Sequence, residues 1–440
     1  MELIGKRTFI LISYTFLTIG YAFSIGLYDF SSFWIITMVF AVLLVALFIK
    51  LPTVFIDKDD NIFIKFSSFL IILSIAITFY LPKEFYELNT ILKPLQFYIF
   101  LVAFIISLSF LIDINYRLKK FRFFTLLSVP VISQILIIIN TPYPKIDVFD
   151  ILQNASSAVV QGINPYTITF NQIYENITPD YFTYMPFSFL MNIPARTLLG
   201  DVRFTSVVSL LITSFIIYKI GEKQNMKEDS YQNTVLLFMY HPLATLIVGE
   251  AWLDPILVAL FSLFGYLFLT YKNKYWAYFT LALAFGVKQN MFLILPFLIK
   301  LKPFNFQKLI LAYIPVIAVI LFFLFLSPKD FIADTVKEPI LRKTRFDALT
   351  FHSFIHNIYP SVQIPKGFFL LPIIFLPILL FKQGKKISSF YLTFAIWFLC
   401  SLILFREAFL NQYYFVSSLL ILSLSFGSLR SKVRKIEKYH

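Results

Sequence analysis

Two carboxylates, Asp147 and Asp150, stand three residues apart, and Asn154 follows four residues later. On a helix these positions share one face. The apolar residues Val148, Leu152, Ala155 and Val159 recur at three- and four-residue spacing and form the opposite stripe. The pattern predicts a short helix that opens after Pro142 and Pro144, runs to about Gln161, and ends at Gly162 with Pro165 beyond. A carboxylate held on such a face can take a proton from a hydroxyl, which is general-base chemistry. The plainer alternative is that first-turn Asp residues cap the helix and complement its dipole.

Other candidates recur at intervals down the chain. Glu250 and Asp254 flank Ala251-Trp252-Leu253, and Lys288 with Gln289 interrupts the apolar run 281–298. Ionisable groups at membrane depth are costly and are functional candidates for that reason. Arg406 and Glu407 precede Asn411, Gln412 and Tyr413. The segment 328–366 carries Arg342, Lys343, Arg345, His352 and His356. Guanidinium groups suit phosphate through their planar, bidentate donors, although a solvated basic loop has the same composition. His352 and His356 stand four apart, but no further Cys or His accompanies them, so no metal is expected there. A phosphate-cradling glycine loop, a Ser-His-Asp arrangement and an internal repeat are all missing from the sequence. The sequons at Asn154 and Asn176 are of a kind common by chance.

The elements that must position these residues are membrane helices. Apolar residues make up 59% of the 440 positions and charged residues 14%, with a mean hydropathy of +0.78. Soluble domains are about 45–50% apolar and about 25% charged. The single cysteine, Cys400, lies in an apolar run and can form no internal disulfide. Apolar runs predict an all-α integral membrane protein with spans at roughly 8–27, 32–49, 62–81, 92–112, 123–140, 203–220, 231–249, 254–271, 275–287, 289–300, 309–327, 367–381, 388–405 and 409–428, about fourteen in all. The stretch 275–300 is readable as one long helix or two short ones. The opening segment resembles a signal peptide but lacks a small-residue cleavage site, so it is expected to be retained.

The net charge of +14 points to lipid-facing basic loops rather than to nucleic acid. Lys6–Arg7, Arg117–Arg122, Lys219–Lys227, Lys272–Lys274, Lys300–Lys308, Lys382–Lys386 and the tail at 430–438 all fall on one side of the predicted spans. The positive-inside rule makes that side cytoplasmic, with both termini there and the loops 141–202 and 328–366 outward. The apolar stretch from Tyr184-Met185-Pro186 to Gly200, containing Pro194 and Arg196, must then keep both ends outside. It is expected to be an interfacial or re-entrant helix.

In this order the motifs resemble the GT-C class of membrane glycosyltransferases. The nearest likenesses are the catalytic subunit of GPI mannosyltransferase I, the polyprenol-phosphate-mannose-dependent mannosyltransferases of prokaryotes, and the dolichyl-phosphate-glucose-dependent glucosyltransferases. The resemblance rests on an Asp after a span, Gly162-Ile163-Asn164-Pro165-Tyr166, Tyr184-Met185-Pro186, Gly249-Glu250-Ala251-Trp252-Leu253-Asp254, Gly286-Val287-Lys288-Gln289 with Leu295-Pro296, and Gln412-Tyr413-Tyr414-Phe415. It covers about residues 125–428.

The resemblance implies a GT-C-like bundle and transfer of a hexose, mannose first and glucose second. The donor is a polyprenyl- or dolichyl-phosphate sugar. The acceptor is a hydroxyl of a glycolipid, oligosaccharide or protein. Asp147 or Asp150 takes the base position, and the spacing to Gly162 leaves both open. Asn164, Tyr166, Tyr184, Glu250, Asp254, Lys288, Gln289, Arg342, Arg345, Arg406, Gln412 and Tyr413 are expected to bind substrate, with no cofactor expected and a metal requirement left open. Residues 1–122 form a membrane module of about four helices, 123–428 the catalytic module, and 429–440 a basic tail. A prokaryotic plasma membrane is the expected location, with endoplasmic reticulum as the alternative. A transporter or flippase for lipid-linked sugars is the competing reading, and a non-catalytic membrane scaffold the third.

Overall fold

The computed structural model describes residues 6–48, 56–81, 93–112, 114–171, 179–362 and 364–427. The basic tail at 430–438 and the Asn176 sequon lie outside these residues. The chain opens with α1 Lys6–Ala22, α2 Phe30–Phe48, α3 Ile56–Tyr80, α4 Lys93–Ser107 and α5 Tyr116–Asn140. A group of short helices follows: α6 Asp147–Val160, α7 Phe187–Leu190 and α8 Ile193–Leu199. The bundle resumes with α9 Arg203–Lys223, α10 Glu228–Met239, α11 Ala244–Gly249, α12 Asp254–Thr270, α13 Tyr275–Val287, α14 Leu295–Leu298 and α15 Phe306–Leu326. A second short group, α16 Pro328–Ile332, α17 Glu338–Leu341 and α18 Phe351–Ile358, precedes α19 Leu371–Lys382, α20 Ile387–Leu404 and α21 Leu410–Ser425.

Among the described residues there is no strand, only an isolated antiparallel bridge between Leu27 and Ala348. Seven helical stretches are long and apolar enough to cross a membrane: 30–48, 61–80, 94–111, 116–140, 203–223, 306–326 and 387–404. Four shorter apolar stretches, 254–270, 275–287, 289–298 and 371–382, accompany them. Their outer faces are apolar. On α15, Ile310, Leu311, Ile314, Phe322 and Phe325 are exposed while Ala312 and Val316 are buried. An exposed apolar surface of this extent needs a lipid or protein cover, and the chain is an all-α protein of membrane type.

The expected span 231–249 is interrupted, and the stretch 275–300, readable as one helix or two, is divided, each for a local reason. The run 231–249 breaks between α10 and α11 at His241-Pro242, because proline lacks an amide donor and disfavours helical geometry in the residue before it. The run 275–300 divides at Lys288, where the backbone becomes extended, and continues as a 3₁₀ stretch at Gln289–Ile294 before α14. After α11, Ala251 adopts a positive φ of 55°, and the chain reverses to start α12 at Asp254. A left-handed conformation at a non-glycine residue costs on the order of 1 kcal/mol and marks a tightly determined turn.

Contacts sort the helix ends into two groups. The Arg7 guanidinium donates to Ser230 Oγ at 3.0 Å, Lys119 pairs with Asp229 at 3.3 Å, and Lys227 donates to Asn61 at 2.8 Å. Lys382 lies 4.8 Å from the Phe48 ring, and Lys302 N donates to Lys385 O at 3.3 Å. The basic helix ends therefore gather at one end of the bundle. At the other end Tyr28 N donates to Asp347 O at 2.8 Å, Met185 N to Val287 O at 3.3 Å, and Asn411 to Asp254 at 2.5 Å. Both short-helix groups belong to this second end.

Helix packing at α9 and α10 is close enough to require glycine. A Cβ on Gly221 would come within 2.2 Å of Tyr231 Cβ. Gly221→Ala is expected to lower stability by about 1–3 kcal/mol through overpacking, read as a lower melting temperature of detergent-solubilised protein. A melting temperature equal to wild type would show that the two helices can separate freely.

Candidate functional site

The expected helix after Pro144 forms as α6, with Asp147 and Asp150 in its first turn. Its buried side includes Val148, Leu152 and Ala155, as the spacing implies, and also Phe149, Ile151 and Ser156. That side packs on α7 and α8, where Ser156 Oγ donates to Phe189 O at 3.2 Å and Gln153 donates to Gly200 O at 2.7 Å.

The two carboxylates are used differently. Asp150 accepts from the Asn154 amide at 2.9 Å, from the Asn171 amide side chain at 2.8 Å and from Asn171 N at 3.0 Å. It ties the following loop back onto α6. Asp147 accepts from its neighbour Val148 N at 2.8 Å and from the Tyr181 hydroxyl at 3.3 Å. Its environment is shared with three other segments. Burial pushes the Tyr181 phenol up to about 12, with Asp147 adding to the effect and Arg342 opposing it. The Tyr184 phenol is raised by burial, then by Asp147 and Asp254, again against Arg342. Asp147, Tyr181, Tyr184, Asp254 and Arg342 thus converge at one end of the bundle, drawn from α6, the loop before α7, α12 and the segment after α17.

Beside them lies a buried charge network. Asp254 Oδ2 receives Lys288 Nζ at 2.9 Å and Asn411 Nδ2 at 2.5 Å. The aspartate side chain is 3% exposed and the lysine 13%. Lys288 is placed by the break in the helical run, Asp254 by the turn at Ala251, and Asn411 by the first turn of α21. Glu250 is buried in the same turn. Lys288→Met is expected to cost about 3–5 kcal/mol by stranding a buried carboxylate, and Asp254→Leu combined with it to recover part of that loss. Additive losses in thermal unfolding would show that the two groups are energetically separate.

The remaining sequence candidates mostly hold loops. Asn164 accepts from Tyr166 N at 3.3 Å. Tyr166 is buried, donates from its hydroxyl to Tyr184 O at 2.9 Å, and packs on Phe331 at 4.7 Å between ring centroids. Gln289 clamps both loop groups, donating to Thr183 O and Thr335 O at 3.1 Å each. Gln412 accepts from Phe409 N at 3.2 Å and caps α21. Tyr413 is fully buried, stacked on Tyr21 and bonded through its hydroxyl to Leu349 O. Arg406 donates to Pro339 O at 2.5 Å and Ile340 O at 2.8 Å. Arg345 pairs with Asp347 and lies 5.1 Å from the Phe409 ring. Arg342 pairs with Glu338 at 3.3 Å and faces Glu407 at 3.9 Å.

His352 is buried, His356 stacks on Phe346 at 3.8 Å, and no group of three metal-ligating side chains forms among the described residues.

Sequence reasoning passed over four contributors. Tyr181, the partner of Asp147, sits in a stretch with no motif. Asp334 anchors the second loop group by accepting from Phe182 N at 2.7 Å, and burial pushes its carboxyl up to about 6 against that bond. Arg203 and Asp201 form a buried pair at 2.6 Å. The charged Asp-Val-Arg at the start of a span was the signal available for it. Compared with protein family models, with curated proteins and with solved structures, the chain matches none.

Proposed function

We propose that the chain is a membrane glycosyltransferase that moves a hexose from a polyprenyl-phosphate carrier to an acceptor hydroxyl. The observation that carries the reading is the asymmetry of the two α6 carboxylates. Asp150 is committed to three hydrogen bonds, whereas Asp147 keeps acceptor capacity and faces tyrosines and a guanidinium. Asp147 is therefore the base: it takes the acceptor proton as the oxygen attacks the anomeric carbon, and the lipid phosphate departs on the opposite face with inversion. Arg342 stabilises the charge developing on the leaving phosphate. Lys288 already neutralises Asp254 and supports the site from behind. In this reading about fourteen helical passes in a GT-C-like bundle hold both termini and the basic end in the cytoplasm and the site outward.

Interrupted helices at Pro242 and Lys288 are a feature that transporters also use. Here the charges gather at one end of the bundle instead of its middle, which favours the enzyme. The test is transfer by purified protein in lipid, with radiolabelled polyprenyl-phosphate mannose and glucose offered separately to an acceptor lipid extract. Transfer from one donor is expected. No transfer from either, with flipping of the lipid-linked sugar instead, would put the transporter first.

A further inference from the structure

Three guanidinium groups surround one carboxylate at the site end. Arg342, Arg406 and Arg345 all act electrostatically on Glu407, as does the carboxylate of Glu338. Glu407 lies in the turn between α20 and α21, its side chain 9% exposed. Its Oε2 atom is buried without a hydrogen bond, and its Oε1 atom is 3.9 Å from Arg342, too far for one. The guanidinium groups hydrogen-bond elsewhere, Arg342 to Glu338, Arg345 to Asp347 and Arg406 to the carbonyls of 339 and 340, although Glu407 acts more strongly on Arg342 through space than Glu338 does. Glu407 is thus a charge desolvated by the fold and balanced through space, the arrangement in which an ionised carboxylate is least supported.

The cluster has no spare positive charge. Arg342, Arg345 and Arg406 are matched by Glu338, Asp347 and Glu407, and Asp147 stands within electrostatic range of Arg345. With Asp147 counted, three guanidinium groups already face four carboxylates, so an anion settling on Arg342 adds to a net negative cluster. One carboxylate has to give up its charge. Glu338 is bonded to Arg342 and one-third exposed, and Asp347 is exposed and bidentate on Arg345, so both are stable as anions. Glu407 has one carboxylate oxygen buried without a hydrogen bond and only a distant ion pair on the other.

We propose that Glu407 is the internal counter-anion of the arginine cluster, and that the phosphate of a polyprenyl phosphate ester binds Arg342 as Glu407 takes up a proton from solvent. This rests on the reading of the site as one that receives a polyprenyl-phosphate donor. Burial raises the Glu407 carboxyl and the surrounding arginines lower it, with the net effect upward. His352, whose charging is opposed by burial and by Arg406, and Asp334, whose carboxyl burial pushes up to about 6 and which also feels Glu338, are the other groups on this side that titrate near this range.

The experiment is equilibrium binding of polyprenyl phosphate to the full chain in nanodiscs, with neutral polyprenol and inorganic phosphate as parallel probes. Wild type is expected to bind polyprenyl phosphate more tightly as the pH falls through the raised range of Glu407, and neither parallel probe comparably. Glu407→Gln is expected to bind about fivefold more tightly at neutral pH, the scale of one partly buried charge pair, and to lose the pH dependence. His352→Gln and Asp334→Asn are each expected to keep that dependence. Arg342→Gln in the Glu407→Gln background is expected to abolish the gain. Weaker or unchanged binding by folded Glu407→Gln, or a gain in Glu338→Gln instead, overturns the proposal. If Glu407→Gln does not fold, a flat wild-type pH profile overturns it and a rising one in His352→Gln supports it. Absence of any Arg342-dependent binding in wild type would count against the donor assignment itself, which separates the two failures.

Discussion

Asp147→Asn is expected to slow sugar transfer by roughly a hundredfold to ten-thousandfold, the usual contribution of a positioned general base, with the melting temperature unchanged. An amide cannot take up the acceptor's proton, but its single oxygen can still receive the Val148 amide, and its NH2 can donate to the Tyr181 hydroxyl in place of the bond that Asp147 accepts. Asp150→Asn should behave in the reverse way. It weakens the charge-assisted bonds from Asn154 and Asn171 and loosens the loop they anchor, at a cost of about 1–2 kcal/mol, with a smaller drop in rate. Initial rates with labelled donor, beside thermal unfolding of each variant, make the comparison. A wild-type rate in Asp147→Asn would remove Asp147 as the base, and a collapse confined to Asp150→Asn would move the role there.

The second large effect is expected at Arg203. Its guanidinium is fully buried and is satisfied throughout. It donates to both oxygens of Asp201 at 2.6–3.1 Å, to Thr141 Oγ1 at 3.0 Å, and to the carbonyls of Ile138, Thr141 and Gly249 at 3.2, 2.7 and 3.3 Å. The Phe149 ring covers it at 4.8 Å. One side chain therefore joins the end of α5, the first turn of α6, the start of α9 and the end of α11. Arg203→Met strands Asp201 and four other acceptors, and is expected to cost about 3–5 kcal/mol. Asp201→Asn combined with Arg203→Met should recover part of the loss by removing the uncompensated charge. The readout is thermal unfolding in micelles. Transfer by the surviving folded fraction should fall too, because Gly249 immediately precedes the turn that carries Glu250 and Asp254. A melting temperature unchanged by Arg203→Met would mean that this network contributes no net stability.

Much of the scaffold was legible because its signals are local and repetitive. The spacing of Val148, Leu152 and Ala155 marked the buried side of α6, Pro144 and Gly162 bounded it, and Lys288 marked a break in an apolar run that does divide there. Pro242 carried an equal signal, yet the long apolar stretch on both sides of it read as one span. The site was harder to read, because its partners are distant in sequence. Asp254 and Asn411 are 157 residues apart, and Phe182 and Asp334 are 152 apart. Nothing at Tyr181 or Asp334 announces such a partner. Conversely Asn164, Tyr166, Gln412 and Tyr413 are conspicuous as motif residues, and in the structure each makes a hydrogen bond to backbone. A polar or aromatic residue at a helix end looks the same in sequence whether it meets a backbone or a ligand.

The first helix is locked to the last. Tyr21 on α1 shares a buried hydrogen-bonded group with His241 at 2.5 Å and with Ser417 on α21 at 2.9 Å, the latter 396 residues away. Gly26, just past α1, is pressed against the backbone of Leu410, where a Cβ would approach to 2.9 Å. Helices enter a membrane in the order in which they are synthesised. From insertion of α1 until α21 emerges, the Tyr21 hydroxyl and His241 lack the hydroxyl that completes their group. Ribosome-stalled chains halted before α21 should therefore be more protease-sensitive than chains that include it.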